Sequence, residues 1–356
     1  MKVFITGICG FVGSSLARYF RNANPEIEVF GIDNFSRPGS EVNRMELPRI
    51  GVTVRYGDIR SASDVENCPA ADWVIDAAAN PSVLAGVTGP TTSRQIVEHN
   101  LTGTINLLEF CRQHTSGFVM LSTSRIYSMV ELSNLQLQTT NSAYSPLLSG
   151  TLPIGLSANG ISEKFPTTAP ISIYGATKLA SEVLALEYAN AFGFPVHIDR
   201  CGVLAGAGQF GKPDQGIFSY WIHSYARRQP LRYIGFGGSG FQVRDCMHPN
   251  DLAKLLIKQM KSEQGDSPKV LNVGGGSESS ISLAQLSAWC ANRFGLHTVS
   301  ADSAERRFDV PWLVLDASVA KQTWQWAPET QLPSILEEIA RHAELNPNWL
   351  SMSAEG

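Results

Sequence analysis

The chain has 356 residues, 43% of them hydrophobic and 17% charged, with 31 glycines, 19 prolines and a net charge of −4. That length can hold one large or two modest cored domains, and the mildly acidic balance excludes the basic field needed to hold nucleic acid or an anionic membrane. The opening MKVFITGICG has too short an apolar run for a secretion signal, and no later run is long enough to span a bilayer. The six cysteines (Cys9, Cys68, Cys111, Cys201, Cys246 and Cys290) are scattered without a C-x-x-C pair. Free thiols in a reducing cytoplasm and no metal centre are therefore expected.

Short apolar strands alternate with helical stretches through the first two hundred residues. Strands are predicted at 2–7, 28–33, 52–57, 73–79, 117–124 and 195–206, and helices at 12–23, 94–114 and from Ser172 to Gly193. Several strands are apolar almost throughout, as parallel strands covered on both faces are. The alternation predicts an α/β fold, a doubly wound parallel sheet of the Rossmann kind. After about residue 203 the pattern breaks into Gly- and Pro-rich loops, a strand at 269–275 and helices near 282–294 and 332–345. We expect a nucleotide-binding domain over 1–202 plus roughly 241–262, and a smaller interleaved α/β domain over 203–240 and 263–350. The long segment between Tyr127 and Tyr174 has no clear periodicity, and an insertion of that length is more often functional than ornamental.

Three glycines, Gly7, Gly10 and Gly13, lie between the first strand and the first helix. They suit a tight turn, close backbone approach to a pyrophosphate, and close helix–strand packing, with the helix N-terminus offering N–H groups to the phosphates. Asp33 closes the second strand twenty residues after Gly13, where a carboxylate accepts both ribose hydroxyls and repels a 2′-phosphate. That favours NAD over NADP, although Arg37 nearby suits a 2′-phosphate. Asp58 and Ile59 follow the third strand, where an adenine ring would lie; Asp58 fits a turn residue equally well.

Tyr174 and Lys178 stand one turn apart on the long helix, a spacing that lets the ammonium act on the phenol. Thr123, Ser124 and Arg125 end the fifth predicted strand, and strand carboxyl ends are where such sheets bind ligands. A hydroxyl, a tyrosine and a lysine can move a proton off a sugar alcohol while a hydride leaves its carbon. The phenol must come down from about 10 toward 7 for that task, and an adjacent ammonium and a positive nicotinamide ring both work in that direction.

Together TGICGFVGSSL, DNFSRPG, GDIR, STSRIYS, SIYGATK, VRD and NVGGG resemble the extended short-chain dehydrogenase/reductases, the nucleotide-sugar epimerase and dehydratase family. Within it, DNFSRPG, STSRIY and GQFGKPDQGIFSYW look most like the CDP-paratose 2-epimerase (CDP-tyvelose epimerase) group. The resemblance implies that Gly7, Gly10, Gly13 and the Phe11–Val12 backbone hold the pyrophosphate. It places Asp33, Asn34 and Ser36 on the ribose, Asp58 and Ile59 at adenine, and Ala77, Ala78, Ala79, Asn100 and Cys201 along the cofactor. Thr123, Tyr174 and Lys178 match the catalytic positions. Pro81, Ser124, Arg125, Gln209, Gln215, Gln242, Arg244 and Arg306 fall on the substrate side, where arginine pairs diphosphate oxygens bidentately. Arg244 and Asp245 can also be read as an ordinary ion pair.

The departures are specific. IYS stands where the family usually has VYG, no histidine precedes the alanines of DAAAN, and 129–160 has no counterpart. Ser124 and Arg125 replace the Asp–Glu pair of the dehydratases, so 4,6-dehydration is not expected. The resemblance thus implies an NAD-dependent epimerase working through a transient keto-sugar, inverting C2 if CDP-paratose-like or C4 if UDP-galactose-like. A net dehydrogenase with the same residues is the rival enzyme, and an NAD-binding scaffold the rival without catalysis. The family also implies a homodimer through the Tyr174 helix.

Overall fold

The computed structural model describes residues 1–89, 91–262 and 267–354. Seven parallel strands form the central sheet, in the order Val270–Val273, Val196–Cys201, Gly117–Thr123, Trp73–Asp76, Lys2–Thr6, Glu28–Asp33 and Thr53–Tyr56. Alternate side chains of these apolar strands enter two cores. Val3, Ile5, Val29 and Ile75 pack with Leu16 and Phe20 of the helix Phe11–Ala23 and with Leu252, Leu255 and Leu256 of the helix Pro249–Lys261. Phe4, Phe30, Val74 and Phe118 pack with Leu107, Leu108 and Phe110 on the other face. Burial on both faces is why these strands lack polar alternation. Strand order reverses between Lys2–Thr6 and Trp73–Asp76, which opens a crevice at their carboxyl ends.

Two placements differ from the sequence expectation. Val270–Val273 was expected in the smaller domain, yet it pairs in parallel with Ile198–Cys201 and edges the central sheet. Val243–Met247 was expected with the nucleotide domain, yet it pairs with Val203–Leu204, Ser280–Ser282 and Trp312–Leu313 in a second sheet. Periodicity reports that a segment is a strand; its partners are set by contacts far away in sequence. The predicted 94–114 helix is also interrupted, with a π-turn at Glu98–Thr102 between Ser93–Val97 and Gly103–His114.

The segment without periodicity forms a short helix Met129–Ser133 and two small hairpins, Leu137–Thr140 with Ala143–Pro146 and Leu156–Ser157 with Gly160–Ile161. Its Leu132, Leu135, Leu156, Ile161 and Phe165 join Val243, Val310 and Trp312 in a third core between the sheets. Such short hairpins gain their stability from this packing rather than from local pattern. A fourth core, around Phe218, Trp221, Leu286, Ile335 and Ile339, closes the far lobe. Among the described residues no helix is long and apolar enough to cross a membrane.

Candidate active site

The glycine loop fits a dinucleotide pyrophosphate on steric grounds. Gly7 has φ of +60°, and a Cβ there would lie 2.9 Å from the Ala78 Cα; one on Gly13 would lie 2.3 Å from the Gly7 carbonyl oxygen. Gly10 caps the helix Phe11–Ala23 without a side-chain bond, so the first-turn N–H groups of Phe11 and Val12 are left for a ligand. Asp33 is buried at the strand end, its two oxygens accepting N–H bonds from Cys9 at 2.9 Å and Phe35 at 2.8 Å. Burial raises its carboxyl, and the Phe35, Cys9 and Gly10 N–H groups pull it back. The carboxylate keeps room to accept from a ribose hydroxyl.

Around this cradle several expected contacts are already taken. Asn34 donates to Asp58 at 2.9 Å, and Asp58 pairs with Arg60 at 2.6 Å; these bonds overcome burial and hold the Asp58 carboxyl below its usual range. Asp58 is therefore engaged as a turn residue. Ile59 buries its side chain against Gly103 and gives its carbonyl to Asn106 at 2.7 Å. Ser36 and Ala79 are exposed, and Ala77 and Ala78 are half-buried beside Gly7. Asn100 is fully buried, its amide holding the Asn80 backbone through bonds of 2.9 and 3.2 Å, so it fixes the loop after Trp73–Asp76.

Arg37 turns away from the adenosine end. It donates to Gln215 Oε1 at 2.7 Å and to the Phe210 carbonyl. This one guanidinium corrects two expectations, since Gln215 is thereby occupied on the far lobe and Arg37 is not free for a 2′-phosphate. Gln209 likewise does not reach the cleft: its Nε2 bonds the Leu204 carbonyl at 2.7 Å and its side chain packs on Gly216.

Thr123, Tyr174 and Lys178 meet at the carboxyl end of Gly117–Thr123. The helix Ser172–Phe192 starts directly on the Ser124–Ile126 turn, so closely that a Cβ on Gly175 would lie 2.4 Å from the Arg125 carbonyl oxygen. Tyr174 is buried, with the Thr123 side chain beside its phenol. Burial pushes the phenol up to about 12; Thr123 and then Arg125 work against that, while Cys201 adds to it. This is opposite to the expected lowering. The Lys178 ammonium acts on Asp76 and on the Cys201 thiol, and the cation acting on the phenol is Arg125. Cys201 is a buried thiol bonded to the Asp199 carbonyl and driven far up by burial, which fits packing.

Beyond Tyr174 lies a solvent-open cleft. Four arginines, Arg125, Arg244, Arg306 and Arg307, face two aspartates, Asp214 and Asp309, across it. Arg244 pairs with Asp309 at 2.6 Å, not with Asp245 as one reading of the sequence had it. Asp245 instead is buried beneath the Gly274–Gly276 loop, whose N–H groups partly offset a burial that raises its carboxyl to about 7. Arg306 donates to the Pro213 carbonyl at 2.9 Å, and Gln242 lines the same cleft with a buried Oε1 that has no partner. Ser124 lines a small adjoining recess, and Pro81 is exposed beside Ser82, which bonds Asp214 at 2.5 Å.

The sequence profile of the NAD dependent epimerase/dehydratase family matches residues 3–274. The chain belongs to that family. NAD is the cofactor of its members, and the glycine cradle with Asp33 fits it. The chain is 28% identical over 342 residues to CDP-paratose 2-epimerase of Salmonella typhi, covering 92% of this chain and 95% of that one. It is 24% identical to UDP-glucuronate 4-epimerase of Thermodesulfobacterium geofontis, covering 96% of each. Among solved structures it is similar to UDP-glucose 4-epimerase from Bifidobacterium longum in complex with NAD+ and UDP. There the TM-score is 0.79 at 21% identity, over 98% of this chain and 100% of that one. UDP-glucuronic acid 4-epimerase from Bacillus cereus gives 0.78 at 24%, over 97% and 99%. These structural likenesses establish the fold.

Sequence reasoning missed the segment Arg307–Phe308–Asp309, which supplies one wall of the cleft. The run ERRFDV was visible, but nothing local says that Asp309 pairs with an arginine sixty-five residues earlier. It also missed Asp214, and it missed Gly175 although the glycine stands inside the SIYGATK stretch.

Proposed function

We propose that the protein is an NAD-dependent nucleotide-sugar epimerase of the CDP-paratose 2-epimerase kind, with Thr123, Tyr174 and Lys178 as its catalytic residues. The observation that carries this is the meeting of the Thr123 hydroxyl and the buried Tyr174 phenol at the junction of a dinucleotide cradle and a cationic cleft. Gly7, Gly10, Gly13 and the Phe11–Val12 backbone hold the pyrophosphate, and Asp33 the ribose. Arg244 and Arg306 take the substrate diphosphate, and Gln242 Oε1 accepts from a sugar or base group that supplies its missing donor. NAD, when bound, supplies reversible oxidation of one sugar carbon and the positive ring that favours the phenolate.

Tyr174 Oη takes the proton of the reacting hydroxyl while Thr123 Oγ1 holds that oxygen in place. The keto-sugar turns in the cleft, and Tyr174 returns the proton when the carbon is reduced on its other face. Water expulsion is disfavoured, because Ser124 and Arg125 follow Thr123 and the cleft's two carboxylates are engaged with Ser82 and Arg244. The nucleotide domain, on this reading, spans 1–202, the helix Pro249–Lys261 and the sheet-edge strand Val270–Val273. A homodimer is supported by exposed Val97 and Val183 on two packed helices.

The test is incubation of the NAD-loaded protein with CDP-, UDP- and GDP-hexoses and deoxyhexoses, following anomeric protons by NMR. A new anomeric signal rising to a fixed ratio without NADH accumulation is expected, and Tyr174→Phe should slow it at least about 100-fold. Steady NADH production would instead establish a net dehydrogenase. Unaltered turnover in Tyr174→Phe would remove the proposed base.

A further inference from the structure

Arg125 is a cation without an anion. It is partly buried at the reacting end of the cleft, on the turn that carries Thr123 and against the helix start that carries Tyr174. Its one hydrogen bond through the guanidinium is to the Phe308 carbonyl, at 3.3 Å. The nearby carboxylate, Asp309, accepts through Oδ1 from Arg244 at 2.6 Å and from the Val310 N–H at 3.0 Å, and makes no ion pair with Arg125 among the described residues. Among the described residues Arg125 forms no ion pair; Arg244 and Arg306 act on it with like charge, and Asp309 and an ionised Tyr174 act in the opposite sense. Burial, followed by Arg244, lowers its guanidinium to about 10, so withdrawal from water and crowding both press on the charge. Charges withdrawn from water are normally paired, and an unpaired one is poised for a partner that arrives from outside.

We infer that Arg125 is a specificity-determining residue that binds an anionic oxygen carried by the substrate on the carbon next to the one inverted. The inference rests on the epimerase reading above, since Tyr174 fixes where the inverted carbon lies. Two substrate chemistries bring such an oxygen there. A sugar inverted at C2 carries its phosphate on C1, and a uronic acid inverted at C4 carries its carboxylate on C5. A neutral hexose inverted at C4 has only hydroxyl and hydroxymethyl neighbours and leaves Arg125 unpaired. The cleft is thereby set against neutral C4 substrates, because failure to satisfy a buried polar group penalises the wrong ligand more than an added contact rewards the right one.

The experiment measures binding of CDP-glucose, UDP-glucose and UDP-glucuronate by calorimetry to the NAD-loaded wild type, Arg125→Met and Arg125→Lys. Turnover is followed by NMR on the same samples, with a CDP-deoxyhexose added. If the partner is the phosphate, Arg125→Met weakens all three ligands about tenfold or more and the wild type inverts C2. If it is a carboxylate, only UDP-glucuronate weakens and the wild type inverts its C4. In either case Arg125→Lys recovers part of the loss, which a merely structural arginine would not show. Affinities within about twofold in Arg125→Met, or wild-type inversion of UDP-glucose at C4 as efficient as that of any other sugar, overturn the inference. Weakened binding with no inversion of any sugar keeps the anion contact and overturns the epimerase reading.

Discussion

Gly175→Ala is expected to remove most of the activity while leaving the fold in place. A Cβ at this position would lie 2.4 Å from the Arg125 carbonyl oxygen, 3.2 Å from its carbonyl carbon and 3.4 Å from Ile171 Cβ. Ordinary contact is longer by about 1 Å, and the obstructing atom is backbone, so either the helix start or the strand-end turn must move by that amount. Those two pieces carry Tyr174 and Thr123. Overpacking costs about 1–3 kcal/mol, and alanine in a helix recovers up to about 1 kcal/mol, so the net loss of stability is about 1–2 kcal/mol. For a chain of this size that is a fall in Tm of about 2 °C. A 1 Å misplacement of reacting groups, by contrast, slows turnover about 100-fold. The assay pairs NMR-detected epimerisation with calorimetric melting and with NAD content after purification. Turnover within about threefold of wild type would refute the reasoning, since it would mean that the two elements separate without disturbing the Thr123–Tyr174 pair.

Two further outcomes follow from buried polar groups. Glu182 and Arg200 form a buried pair at 2.7 Å, with Ser122 donating to the carboxylate and the guanidinium lying over the Tyr127 ring. Glu182→Ala strands the arginine and is expected to cost about 3–5 kcal/mol, a fall in Tm of about 5 °C; a fall below about 2 °C would show the arginine re-pairing. Asp199 is fully buried, with one oxygen bonded to Gln259 at 2.9 Å and the other without a partner, and burial raises its carboxyl to about 7. Because its folded value lies above the unfolded one near 4, the folded state holds the extra proton between about pH 4 and 7, and stability declines as pH rises through that window. Asp199→Asn cannot ionise, so its Tm advantage over wild type should grow across the window and level off above pH 7. A difference independent of pH would refute the assignment.

The central sheet was legible because its strands are apolar on both faces and its glycine loop needs three glycines at fixed spacing. The placing of Thr123 at a strand end and of Tyr174 and Lys178 one turn apart on the next helix was legible because these are local facts. What escaped was everything decided across long sequence separations. Val270–Val273 looks like any short strand until Ile198–Cys201 is found beside it. Arg37 and Gln215 each looked free for a ligand, and nothing in either neighbourhood shows that they hold each other. The direction of the Tyr174 phenol was misjudged for a related reason: the lysine was in view, but the depth of burial, which dominates, was not.

Asn272 reaches the Tyr127 hydroxyl at 2.6 Å and the Ile161 carbonyl at 2.7 Å, while its own N–H goes to Glu163 at 2.7 Å. An amide at the rim of the large sheet is thus laced into the segment between Tyr127 and Tyr174, whose Met129 and Leu132 line the recess beside the cleft. That segment cannot be exchanged between relatives as a cassette. A graft spanning only 129–170 would arrive without the asparagine that receives it, and the transplant would need the sheet-edge strand as well.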